Sequence, residues 1–127
     1  MIRAASLEVL LLSRAPEAHQ EFLRALTERG IPVAIVRDPR QALHDLRRTP
    51  VVVLVDLVHG AGLDRSSVAR LNRERGRSLV VALHQGALDD ALDELAELSV
   101  DGFCRAGNWQ PIAGLAGAPG LVSQLAH

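Results

Sequence analysis

The chain contains no lysine and no tyrosine; all 14 of its basic residues are arginines. It has 127 residues but only three aromatics (Phe22, Phe103 and Trp109) and one cysteine, Cys104. Each absence removes a class of chemistry. Without lysine there is no Schiff-base amine and no P-loop, whose lysine sits on the phosphates. Without tyrosine there is no phenolic acid or base. Three aromatics make no base-stacking platform, and a net charge of −1 with a pI near 6.5 offers no basic face for nucleic acid. A lone cysteine makes no internal disulfide, so the fold stands without staples. No apolar run approaches the roughly 20 residues of a membrane span. The N-terminal residues lack the charged-then-apolar layout of a secretory signal, which leads us to expect a cytoplasmic chain.

What is present is a regular alternation. Short, continuous apolar runs occur at Leu7–Leu12, Ile31–Val36, Val51–Val55 and Leu79–Leu83, with a weaker one at Gly102–Cys104. Runs that are apolar throughout, not at every second residue, mark strands covered on both faces, hence a parallel sheet. Between them lie helix-spaced segments: Glu17–Arg29 with Phe22, Leu23 and Leu26, then Pro39–Arg48, Ser66–Arg75 and Leu88–Leu98. Pro16, Asp38-Pro39, Gly30 and Gly76 punctuate helix starts and ends. Five β–α steps of roughly 20–25 residues predict one α/β domain over residues 1–127, a doubly wound five-stranded parallel sheet in the flavodoxin-like order 2-1-3-4-5. Its last part, 107–127, is rich in glycine and proline and predicts an irregular segment with a weak fifth helix.

A doubly wound sheet places its chemistry at the carboxyl ends of its strands. Asp56 stands there directly after five apolar residues, and a carboxylate at the mouth of a buried strand needs a partner or a cap of backbone N–H groups. Arg14, after the first strand, is the nearest candidate of opposite charge. Ser13, His59, His84 and Arg105 occupy the same edge. His59 and His84 with Asp56 form an outside possibility for a transition-metal site, though they lack a tight spacing motif. Gly60-Ala61-Gly62 hints weakly at a phosphate cradle, without the third glycine that such loops carry.

The order of elements, with Asp56 closing the run Val51-Val-Val-Leu-Val-Asp56-Leu57, resembles the CheY-like receiver domain of bacterial two-component response regulators. Leu10-Leu-Leu-Ser-Arg-Ala-Pro16 and Asp101-Gly102-Phe103-Cys104 resemble its first strand and the opening of its fifth, and the similarity spans about residues 6–116. The resemblance implies a phosphorelay signalling role with no enzymatic activity of its own, and Asp56 as the phospho-acceptor position. It also exposes departures. The acidic pair that holds Mg²⁺ in the family falls on Ser13 and Arg14, and the hydroxyl residue and small residue of the fourth strand fall on Leu83 and His84. The family's lysine falls on Ala106, and its switch aromatic on Phe103. Phosphoryl transfer relies on a divalent cation and fixed cations around the moving oxygens. We therefore expect a pseudo-receiver with weak or absent Mg²⁺ binding and no other cofactor, Arg14 or Arg105 supplying the counter-charge to Asp56. A conventional regulator phosphorylated on Asp56 is the alternative, and a small-ligand or metal-binding domain the outside one. The acidic stretch Asp89–Glu97 and the arginine-rich stretch Arg65–Arg77 suggest a protein partner or homodimer through the face between strand four and helix five.

Overall fold

The computed structural model describes residues 9–48, 50–85, 99–108 and 110–112. Five strands, β1 (Val9–Leu12), β2 (Val33–Val36), β3 (Val52–Asp56), β4 (Leu79–His84) and β5 (Gly102–Arg105), form one sheet in the order β2-β1-β3-β4-β5. All neighbours are parallel, with Val9 opposite both Val33 and Val52, Asp56 opposite Leu83, and His84 opposite Arg105. The predicted fold class and strand order are those observed. Every residue of β1 and β3 is buried, as their unbroken apolar composition requires.

Side chains alternate across the sheet, so each strand feeds two cores. Leu10, Leu12, Val53 and Val55 pack with Leu43, Leu46 and Leu71. These come from α2 (Pro39–Asp45), the 3₁₀ turn Leu46–Arg48 that continues it, and α3 (Arg65–Glu74). On the other face Val9, Leu11, Val52 and Leu54 pack with Phe22 and Leu26 of α1 (Gln20–Glu28) and with Ile112. Burying a side chain of this size stabilises by about 1.5–3 kcal/mol, so the Phe22–Leu26 stripe holds α1 on the sheet more firmly than its uncapped N-terminus could.

The punctuation is largely as expected. Asp38 caps α2 by accepting the Arg40 N–H at 2.8 Å, with Pro39 in the first turn. Gly30 and Gly76 follow helix ends at φ of +75° and +59°. Two helix boundaries differ by about a turn. Pro16 opens a 3₁₀ turn, Pro16–His19, before α1 proper begins. The predicted helix Pro39–Arg48 tightens to 3₁₀ after Asp45. The predicted fourth helix and most of the fifth lie outside the described residues; of the latter, 110–112 are helical. Among the described residues no helix is long and apolar enough to cross a membrane.

Candidate functional site

Asp56 ends β3 fully buried, and its carboxylate collects five hydrogen bonds. The backbone N–H groups of Val58 and His59 reach Oδ1 at 2.8 and 3.2 Å, so the side chain caps its own loop. Oδ2 accepts the Ser13 hydroxyl at 2.6 Å and faces His19 Nε2 at 2.8 Å and His59 Nδ1 at 3.2 Å. An ionised carboxylate only accepts, so both ring nitrogens turned toward it carry their proton. The two imidazoles stand edge to face, with centroids 5.4 Å apart. Burial pushes the Asp56 carboxyl upward; the bonds from Ser13, His19, His59 and Val58 outweigh it and hold the group below its ordinary value.

The strand alternation explains who arrives. Val9, Leu11 and then Ser13 lie on the face that α1 covers; Val52, Leu54 and then Asp56 lie on the same face. His19 continues the buried stripe of α1 backwards, three residues before Phe22 and seven before Leu26, and is itself buried. Three segments, the end of β1, the 3₁₀ turn before α1 and the end of β3, thus deliver hydroxyl, imidazole and carboxylate to one point. His59 closes the set from the β3–α3 loop, its side chain 37% exposed.

Arg14 does not supply the expected counter-charge. One step out of phase with Ser13, it lies across the β3–α3 loop, its Nε and a terminal nitrogen each 3.0 Å from the place a Cβ on Gly62 would take. Its own N–H donates to the Gly60 carbonyl at 3.0 Å. Gly60 and Gly62, both at positive φ, therefore make room for an arginine. Arg105 is exposed and makes no contact with Asp56. Leu83 is buried in the α1-side core, and Phe103 meets the ring of His84 edge-on at 6.4 Å. His84 stays out of the cluster, and its Nδ1 is buried without a hydrogen-bond partner among the described residues. The imidazole that joins His59 on Asp56 is His19, which sequence reasoning passed over; its place on the Phe22–Leu26 stripe was the available signal. Ala106 lines, with Glu17, His19, Val58, His59 and Gln85, a cleft of about 570 Å³ over the cluster.

No protein-family model and no curated protein sequence matches the chain. Solved structures do. The receiver domain of a sensor histidine kinase from Pseudomonas aeruginosa, with a magnesium ion in its active-site cleft, is 21% identical, with a TM-score of 0.71 over 90% of this chain and 100% of that one. A response regulator from Thermotoga maritima is 16% identical, with a TM-score of 0.65 over 94% and 96%. A response regulator from Burkholderia pseudomallei, carrying a phosphorylated aspartic acid, a calcium ion and citrate, is 18% identical, with a TM-score of 0.65 over 92% and 70%. The chain shares the fold of response-regulator receiver domains.

Proposed function

We propose that the chain is a signal-transduction receiver domain that works through protein–protein contact and without an acyl-phosphate on Asp56. The observation that carries this reading is the saturation of the Asp56 carboxylate by five donors, three of them on Oδ2. Attack on a phosphoryl group needs a free oxygen lone pair, a divalent ion to draw the phosphate in, and cations to hold the transferred oxygens. The donor set does not fit Mg²⁺, which favours carboxylate oxygens at octahedral spacing. At the two positions that would supply further acids, Ser13 has its hydroxyl spent on Asp56 and Arg14 brings a positive charge. With no lysine in the chain, no rearranged loop can restore one at position 106.

In this reading the domain has no catalytic activity, resides in the bacterial cytoplasm and takes no Mg²⁺ cofactor. Its partner, a protein or a second copy, meets the face running from β4 toward the chain's C-terminal part. Incubation with acetyl phosphate and Mg²⁺, followed by intact-mass measurement and hydroxylamine treatment, tests the central claim. No gain of a phosphoryl group is expected. A hydroxylamine-labile phosphoryl group that is lost in Asp56→Asn would establish conventional phosphorylation instead.

A further inference from the structure

We infer that His19, Asp56 and His59 form a binding site for a divalent transition-metal ion of the Zn²⁺ type. The inference does not depend on whether Asp56 is ever phosphorylated. It starts from convergence: His19 Nε2, His59 Nδ1 and an Asp56 oxygen all lie within 4.8 Å of one another. Two of the three side chains are almost wholly buried, His19 at 3% and Asp56 at 0% exposure, so their positions are set by packing. They need no ordering when an ion arrives.

The chemistry of the donors selects the ion. Two imidazoles and one carboxylate suit Zn²⁺, Co²⁺, Ni²⁺ or Fe²⁺, whereas Mg²⁺ prefers oxygen throughout. Metal–nitrogen bonds of about 2.0–2.1 Å around a tetrahedral ion bring ligand atoms to roughly 3.3 Å of each other. The pairs His19–Asp56 and His59–Asp56 already stand at 2.8 and 3.2 Å. The remaining adjustment falls to His59, whose half-exposed ring on a loop is the one free to move. Both rings bind neutral, each N–H passing to the nitrogen that does not face the ion.

The surroundings agree. Ser13 bonds Oδ2 and fixes the carboxylate, a second-sphere support of the kind that metal-binding carboxylates use. Arg14, the charge most able to repel a cation here, is laid against Gly62 and held in that loop through its backbone bond to Gly60. The cleft lined by His19, His59 and Gln85 gives the ion a way in and leaves room for water to complete its shell. A bound ion would tie the start of α1, through His19, to the β3–α3 loop, through His59. Loading would thus act on the elements that frame the cleft, an input by metal at the place where phosphorylated relatives take a phosphoryl group.

The test uses the whole chain, stripped with EDTA and dialysed. Co²⁺ is titrated in and followed by its visible absorption, and Zn²⁺ is then added in competition. We expect one equivalent of Co²⁺ with intense low-coordinate bands, displaced by Zn²⁺. We also expect a Tm rise of roughly 5 °C or more at a hundredfold excess of Zn²⁺ over its Kd, with no rise from Mg²⁺ at the same concentration. His59→Gln, at an exposed ring, keeps the fold and weakens Co²⁺ binding at least tenfold; His19→Gln does the same, and His84→Gln leaves it unchanged. Absence of Co²⁺ binding by the parent chain overturns the site, as does binding that survives His59→Gln or disappears in His84→Gln. These outcomes are independent of the acetyl phosphate experiment, which uses neither metal.

Discussion

The guanidinium of Arg14 lies against Gly62, 3.0 Å from where a β-carbon on that glycine would sit, and so faces the β3–α3 loop and not the carboxylate of Asp56. Gly62 is therefore constrained twice, by its φ of +71° and by a side chain packed where its own would be. Gly30 has a similar φ of +75° and nothing within 4 Å. Substituting alanine at Gly30 should cost only the left-handed backbone, about 1–2 kcal/mol. Gly62→Ala should cost clearly more, and most of the excess should vanish in the Arg14→Ala background. Urea melts of the two single variants and the Arg14→Ala/Gly62→Ala pair measure the coupling.

Ser13 should matter more than a small surface-loop hydroxyl ordinarily does, because it donates to a buried, ionised carboxylate. Ser13→Ala is expected to cost about 1.5–3 kcal/mol near neutral pH, the range for a hydrogen bond to a charged group. The pH dependence has a definite sign. Hydrogen bonds hold the Asp56 carboxyl below its ordinary value in the folded chain, so its contribution is fully present above the unfolded carboxyl's pKa of about 3.9. It is lost as pH falls through the lower folded value. Ser13→Ala removes one of the depressing bonds and narrows the gap between folded and unfolded values, so it should lose less stability on acidification than the parent, and the cost of the substitution should shrink as pH falls below about 3.9. Chemical denaturation in EDTA between about pH 3 and pH 7 resolves the two acid limbs.

Cys104 offers a folding probe. It is buried in the α1-side core, its Sγ 3.1 Å from the Asn108 carbonyl, and burial pushes its thiol pKa upward. The thiol reacts as thiolate, so alkylation by iodoacetamide near pH 8 should be far slower than in the urea-unfolded chain. The linkage runs opposite to that of Asp56. The stabilisation from keeping this thiol neutral is whole below the unfolded pKa of about 8.5 and declines as pH rises through the folded value. Cys104→Ala should therefore lose less stability between about pH 8 and pH 10 than the parent chain does. Paired melts across that range check it.

What the sequence revealed and what it concealed follow from how local each signal is. Continuous apolar runs announce buried parallel strands because both faces of the sheet impose the same demand, and the strand order followed from their number and spacing. Asp56 was legible for the same reason, as a charge closing such a run. Its partner was not. Charge alone favoured Arg14, but a period of two assigns Ser13 to the Asp56 face and sends its neighbour the other way. His19 was hidden because the stripe over Glu17–Arg29 was read from its apolar members alone, starting at Phe22; one turn earlier the same stripe includes the imidazole. The glycines at 60 and 62 hinted only weakly at a phosphate cradle, and it is a side chain that they admit. Their visitor was a side chain from another loop, which no linear motif records.

The arginine-rich stretch Arg65–Arg77 suggested a surface for a partner, yet one member is engaged within the chain itself. Arg75, at the end of α3, donates to the Ser99 carbonyl and to Asp101 Oδ2, and its side chain is only 14% exposed. The same Asp101 oxygen accepts the Val80 N–H at 2.8 Å, so the arginine, the carboxylate and β4 are joined in one network where the chain enters β5. Arg70, by contrast, makes an exposed pair with Glu74 at 3.8 Å. Exposed pairs on a helix are worth a few tenths of a kcal/mol, whereas truncating the largely buried Arg75 removes hydrogen bonds to a carbonyl and to a carboxylate at a cost of about 1–3 kcal/mol. Arg75→Ala should thus destabilise the chain by about 1–3 kcal/mol and Arg70→Ala by less than about 0.5. Raising the salt to about 1 M shortens the screening length to roughly 3 Å and should abolish most of the Arg70 effect while leaving most of the Arg75 effect. Denaturation midpoints of the two variants at low and high salt decide the matter; equal costs for both would mean that the Arg75 network contributes no more than a surface pair.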